Sequence, residues 1–224
     1  MIQARQMLVK ESQQKTKCPN QMDAKYITIH NTANDASANN EVQYMINNTN
    51  QVSYHYAIDD KEVVQGIPLN HNAWHCGDGS AANSGNRTSI GVEICYSKSG
   101  GERYTKAEAL ATKFIAQLLH ERNWGIERVK KHQDWSGKYC PHRILAEGRW
   151  QAVLNAIQME LNELKKSNEK KESEEMQKVN IIAGTKLIDG VNINGVTYAP
   201  VRELSELLGK KVEWDQKTST VTLK

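Results

Sequence analysis

Lys25-Tyr-Ile-Thr-Ile-His30 is the stretch around which the fold is read. Ile27 and Ile29 share one face of an expected strand, while Thr28 and His30 share the other. Such a strand buries one side in a core and ends by presenting a histidine beside a loop, which is a rigid place for a ligand. Ser89 to Tyr96 repeats the pattern, with Ile90, Val92 and Ile94 on one face and Gly91, Glu93 and Cys95 on the other. A carboxylate in that strand is either catalytic or an exposed surface group.

Outward from these two strands, residues 1 to 24 read as a lead-in segment. Glu41 to Ile46 carries Val42, Met45 and Ile46 at helical spacing, and Ser53 to Asp59 reads as a strand. The glycine- and asparagine-rich run from Gly77 to Asn86 is expected to be a loop that rims a cleft. Thr105 and Glu108 form a capping-box signature. The stripe Leu110, Ala111, Phe114, Ile115, Leu118 and Leu119 then continues as a helix ending near Asn123 to Gly125. A second amphipathic helix starts around Glu147 to Trp150, with Val153, Leu154, Ile157, Leu161 and Leu164 on one face.

His132-Gln-Asp-Trp-Ser-Gly-Lys-Tyr-Cys140-Pro141 supplies the chemistry. With His30, the residues His132 and Cys140 read as one zinc site. Two neutral imidazoles and one thiolate leave a tetrahedral zinc one open position, the arrangement of a catalytic site rather than a closed structural one. The His-x7-Cys spacing is loose when taken by itself. The remaining cysteines, Cys18, Cys76 and Cys95, form no CxxC pair and read as small buried thiols, with disulfides in an exported protein as the other reading.

Five segments in order carry a resemblance: Tyr-Ile-Thr-Ile-His-Asn-Thr (26–32), Ser-Tyr-His-Tyr-Ala-Ile-Asp (53–59), Ala-Trp-His-Cys-Gly (73–77), Asn-Arg-Thr-Ser-Ile-Gly-Val-Glu-Ile (86–94) and Lys-Tyr-Cys-Pro (138–141). Together they resemble the zinc-dependent N-acetylmuramoyl-L-alanine amidases shared by phage endolysins, T7-lysozyme-like amidases and peptidoglycan recognition proteins. The resemblance is nearest to endolysins of Bacillus-like hosts. It implies an α/β fold with a central mixed β-sheet flanked by helices, and zinc held by His30, His132 and Cys140. It also implies Glu93 as general base, Lys138 at the oxyanion and Tyr54 beside it, with Trp74, His75 and Asn86 contacting the sugar or stem peptide. Strand alternation places His55 opposite Tyr54, as a packed structural histidine.

At 224 residues the chain exceeds one typical domain of about 100 to 150 residues, so a large and a small domain are expected. Residues 1–164 form the catalytic domain. The mixed-charge run from Lys165 gives a linker or helix extension over 165–178. Residues 179–224 form a small α+β carboxy-terminal domain. There Val191 to Ile193 and Gly195 to Ala199 read as a hairpin, Pro200 to Leu208 as a helix, and Lys211 to Asp215 and Thr220 to Lys224 as further strands. Tyr198 to Leu204 with Val212 to Asp215 resembles the module related to the amino-terminal domain of copper amine oxidases. It has no His or Cys, so copper is not expected. Its role is wall attachment or, alternatively, folding or oligomerisation.

A net charge of +3 is too small to argue for nucleic acid. The amino terminus shows no basic segment followed by an apolar one, and no run approaches the roughly 18 apolar residues of a membrane span. The expectation is a peptidoglycan hydrolase of a Gram-positive, Bacillus-like cell wall. It would be held in the host cytoplasm until lysis and would reach the wall through a separately encoded holin. The alternatives are a bacterial autolysin, or a relative that recognises peptidoglycan without cutting it.

Overall fold

The computed structural model describes residues 1–183 and 185–224, without the side chains of 169–175 and 183. The chain divides into two compact units, Met1–Leu164 and Lys165–Lys224.

The first unit contains β1 (Ala4–Gln6), α1 (Glu11–Lys17), β2 (Tyr26–Asn31), α2 (Ala38–Asn47), β3 (Tyr56–Ile58), β4 (Val63–Gln65), α3 (Gly85–Thr88) and β5 (Ser89–Ile94). They are followed by α4 (Gly101–Glu121), β6 (Val129–Lys131), α5 (Gln133–Ser136), α6 (His142–Ala146) and α7 (Trp150–Glu175), which runs past the unit boundary. Six strands form one sheet in the order β1-β4-β3-β5-β2-β6. The β3-β4 pair is antiparallel and the other pairs are parallel, so the sheet is mixed. The fold is α/β, with this sheet flanked by helices.

Parallel pairing puts Ile27 beside Ile90 and Ile29 beside Val92, so the apolar sides of β2 and β5 form one surface. Helix α4 covers it: Phe114 meets Tyr56, the register partner of Val92, edge-on at 4.8 Å. Ile27, Ile29, Ile90, Val92, Ile115 and Leu119 are all fully buried. Each large apolar side chain buried in this layer contributes about 1.5 to 3 kcal/mol.

The helix differs from its expected start. It begins at Gly101, with Gly100 and Gly101 both at positive φ and no side-chain cap. Thr105 lies one turn inside, its hydroxyl bonded back to the Gly101 carbonyl at 3.1 Å, and Glu108 pairs with Arg149. The capping box is therefore not formed, because the two glycines turn the chain into the helix one turn earlier than a threonine cap would. The lead-in also proves to be structured. Strand β1 pairs with β4, and the fully buried Lys17 at the end of α1 donates to Asn48 Oδ1 at 2.8 Å and to the Val52 carbonyl at 3.1 Å.

In the second unit, β7 (Met176–Ala183), β8 (Lys186–Ile193) and β9 (Val196–Tyr198) form an antiparallel sheet. The β8-β9 turn places Asn194 and Gly195 at positive φ, the backbone that a tight two-residue hairpin requires. Helix α8 (Val201–Leu207) precedes the hairpin of β10 (Val212–Asp215) and β11 (Thr220–Leu223). Register pairs Val212 with Leu223 and Trp214 with Val221, so one hairpin face is apolar and the other polar.

Candidate active site

The sheet face opposite α4 carries the functional side chains. His30 and Glu93 are register partners and project together from β2 and β5. His132 follows β6, the other neighbour of β2. The segment that returns from His132 to Cys140 is held by main-chain bonds, Gln133 donating to the Cys140 carbonyl at 3.1 Å. It is also held by Trp135, whose indole N–H donates to Thr28 Oγ1 at 2.9 Å. Three residues 110 positions apart at most are thereby brought to one point at the strand ends.

His30 Nδ1 lies 3.0 Å from His132 Nδ1 and 3.8 Å from Cys140 Sγ, and one donor atom from each residue lies within 4.8 Å of the others. Zinc bonds of about 2.0 to 2.3 Å in a tetrahedron set neighbouring donors roughly 3.3 to 3.6 Å apart, so the donor set fits a metal ion of this kind. All three residues are buried. Burial, reinforced by the neighbouring His75, His132 and Lys138, pushes His30 well below the usual imidazole range. Burial and the nearby Lys138 lower His132 as well. The lone pairs are therefore free to ligate. Burial raises the Cys140 thiol to about 11, while main-chain groups of Asn31 and His142 favour its thiolate. Glu93 Oε2 is buried without a partner among the described residues, as expected of a carboxylate whose partner is not protein.

A cleft of about 490 Å³ opens over these groups, lined by His30, Glu93, His132 and Cys140, with Tyr54, Trp74, His75, Lys138, Tyr139 and His142 among its other walls. Burial, and next to it the charge of Glu41, pushes Glu93 up to about 8, with Lys138 opposing. Burial raises the Tyr54 phenol far above its ordinary range, so it stays protonated and keeps an O–H to donate at neutral pH; that hydroxyl faces Glu41 Oε2 at 3.5 Å.

Residues 20–143 match the family described as N-acetylmuramoyl-L-alanine amidase. The chain belongs to this amidase family. It is 67% identical to the N-acetylmuramoyl-L-alanine amidase XlyB of Bacillus subtilis (strain 168) over 161 residues, which are 72% of this chain and 50% of XlyB. It is 50% identical to the N-acetylmuramoyl-L-alanine amidase CwlA of Bacillus sp over 181 residues, 81% of this chain and 70% of that protein. The solved structure of PlyL superposes with a TM-score of 0.68 at 57% identity, covering 70% of this chain and 98% of PlyL. The chain spans about half the length of XlyB. Residues 181–224 match the copper amine oxidase N-terminal domain.

Within this amidase framework the structure gathers His30, His132, Cys140, Glu93, Tyr54, Lys138 and Trp74 around one cleft. It corrects the expectation for Asn86, which is buried behind the cleft. Its Oδ1 accepts from the N–H groups of His75 and Cys76, each at 2.7 Å, and its Nδ2 donates to the Gly79 carbonyl at 2.9 Å. Its oxygen is thus spent on the 75–76 turn and its amino group is turned to Gly79, so the buried side chain acts as a loop support and does not line the cleft. His75 lines the cleft, but its ring nitrogens face His30 and the Ser89 carbonyl. His55 is fully buried, accepting from Gly91 N–H at 3.0 Å and donating to the His71 carbonyl at 3.0 Å, as a structural histidine should. Glu41 went unread as a site residue. It sits in a helix whose apolar periodicity was legible, whereas its approach to Tyr54 depends on tertiary packing.

Proposed function

We propose that the chain hydrolyses the amide between the lactyl group of N-acetylmuramic acid and the L-alanine of the stem peptide, in the wall of a Bacillus-like Gram-positive host. The observation that carries this reading is the register pairing of His30 with Glu93 beside His132 and Cys140 in one cleft. Family membership names the reaction class.

His30, His132 and Cys140 would hold zinc, which when bound acidifies water and polarises the scissile carbonyl. Glu93 takes the proton from the attacking water and returns it to the alanine nitrogen as the bond breaks. A carboxyl raised by burial toward neutrality suits a group that must both accept and release a proton. Lys138, exposed on the loop before Cys140 and lining the cleft, would bring its ammonium to the carbonyl oxygen as that atom gains charge. Tyr54, whose protonated hydroxyl approaches Glu41 and also lines the cleft, would turn that O–H to the substrate as a second donor. Trp74, its indole N–H tied to the Thr16 carbonyl at 3.0 Å, offers a fixed ring face for the substrate.

The biological setting that fits this reading is host lysis by an endolysin, with passage to the wall through a holin and the second unit tethering the enzyme to wall polymer. The exposed Tyr198 and Trp214 of that unit are the kind of aromatic surface that glycans stack on. Among the described residues, no helix is long and apolar enough to cross a membrane. A recognition protein that does not cut is the second reading. The filled set of three ligand residues and the buried unpartnered Glu93 oxygen weigh against it.

The test is product chemistry on purified Bacillus-type peptidoglycan. Release of L-alanine amino termini without new reducing ends, dependent on metal and on Glu93, supports the amidase. Binding without cleavage gives the recognition reading, and reducing ends would mean glycan cleavage and a wrong site.

A further inference from the structure

His30 presents two ring nitrogens to two different environments. Nδ1 faces His132 and Cys140, while Nε2 lies 2.9 Å from Nδ1 of His75. The far nitrogen of His75, Nε2, lies 3.2 Å from the main-chain carbonyl of Ser89. A carbonyl oxygen only accepts, so His75 carries its proton on Nε2. With the imidazole's proton held on Nε2, its Nδ1 is bare and able only to accept. Nε2 of His30 must then carry a proton and donate it, and the neutral His30 ring has its lone pair on Nδ1.

We infer that His75 is a positioning residue for the metal site, whose hydrogen bond from His30 locks that ring in the tautomer and orientation that present a bare Nδ1 to the ion. This rests on the zinc reading above. It replaces the sugar contact expected of His75, because neither of its nitrogens is left for a sugar. Metal-ligating histidines generally need such a partner behind them, usually a carboxylate or carbonyl. Here a second imidazole relays a carbonyl to the ligand.

The surroundings fix the His75 ring from several sides. Asn86 clamps its main-chain N–H at 2.7 Å. Gly91 provides the floor: a Cβ there would sit 2.8 Å from the Cγ and Nδ1 of His75. The rings of His30 and His55 meet it edge-on, with centroids at 5.0 and 5.9 Å. Cys76 Sγ also approaches Nδ1 at 3.2 Å, so His30, His75 and Cys76 form a second potential donor group. Filling it together with the first site would leave His30 without its one ring proton, as an imidazolate bridging two ions. The geometry therefore favours the relay over a second ion.

The test uses the full chain and two readouts other than activity. The first is the tautomer of His30 by nitrogen NMR on metal-free protein, which does not depend on zinc binding. A protonated Nε2 and bare Nδ1 support the relay; a protonated Nδ1 overturns it. The second is zinc stoichiometry and affinity by chelator competition. His75→Leu should lower affinity about 10- to 100-fold with one equivalent still bound. His75→Asn, whose Oδ1 falls near the position of the lost Nδ1, should recover most of that loss. Gly91→Ala, which leaves every ligand in place but displaces the ring, should weaken zinc in the same direction. Should His75→Leu misfold, the wild-type tautomer and the His75→Asn and Gly91→Ala affinities still decide. Unchanged affinity in folded His75→Leu, or two equivalents in wild type with one lost in Cys76→Ser, overturns the inference while leaving the first site intact. Failure of the zinc reading looks different, as wild type would bind no zinc or Cys140→Ser would bind it equally, and the inference then falls with it.

Discussion

His30 and Glu93 occupy one rung of the β2-β5 ladder, so the imidazole proposed to ligate and the carboxylate proposed to carry the proton are positioned by main-chain hydrogen bonds rather than by loop contacts. A parallel register partner cannot drift without breaking the ladder, and both strands are buried on their apolar side beneath α4. Rigid elements hold catalytic geometry more tightly than loops do.

Replacing Glu93 by Gln preserves the shape and removes the base. Amide hydrolysis is expected to fall by about 10²- to 10⁴-fold while zinc content stays at the wild-type level. Amino-terminus release and metal analysis on the same preparation check this. A variant that keeps a tenth of wild-type activity would take Glu93 out of the chemistry.

The raised Glu93 also makes a stability statement about the metal-free protein. Its ordinary value is 4.5 and its folded value about 8, so between these the folded state holds a proton that the unfolded state has lost. Stability supplied by the protonated carboxyl is full below the lower value and is lost as pH rises through the higher. Metal-free Glu93→Gln should therefore gain on wild type in urea melts as pH climbs from about 5 to about 8. A constant difference across that range would contradict the assignment.

His55 works in the opposite sense. Burial lowers it from 6.5 to about 4, so below its ordinary value the unfolded chain takes up a proton that the folded ring refuses. Its contribution is present above the ordinary value and is lost as pH falls toward the folded one. Urea midpoints for wild type and His55→Gln should converge on acidification over that interval, and parallel curves would count against it.

Much of this site was legible because strand alternation is a period-two code. Ile27 and Ile29 against Thr28 and His30, and Ile90, Val92 and Ile94 against Gly91 and Glu93, assign faces without any knowledge of neighbours. What stayed hidden depends on partners far along the chain. Helix α1 has no apolar residue and is anchored by a buried lysine bonded 31 and 35 residues away. Asn86 looked like a ligand contact because nothing in sequence shows that its amide is spent on two main-chain donors. The start of α4 was misplaced because positive φ at Gly100 and Gly101 competes with a capping box that is sound only on paper.

Lys138 tests whether the cleft stabilises charge in the transition state. Lys138→Ala should lower kcat by about 10²-fold with a small change in KM, since the charge it meets develops only as the carbonyl is attacked. Lys138→Arg should retain part of the rate. A loss confined to KM would make Lys138 a ground-state binding residue.

Gly85→Ala separates support of the loop from chemistry. A Cβ on Gly85 would stand 2.5 Å from Cδ2 of Trp135 and 2.8 Å from Cys76 Sγ, so the indole must move. That indole ties α5 to Thr28 and so fixes the segment between His132 and Cys140. Overpacking of this kind costs about 1 to 3 kcal/mol. The variant should show a lower urea midpoint together with weaker zinc binding, whereas Glu93→Gln loses activity with its zinc retained. If Gly85→Ala melts and binds metal like wild type, Trp135 is not what holds the ligand loop, and its support must come from main-chain bonds such as Gln133 to Cys140.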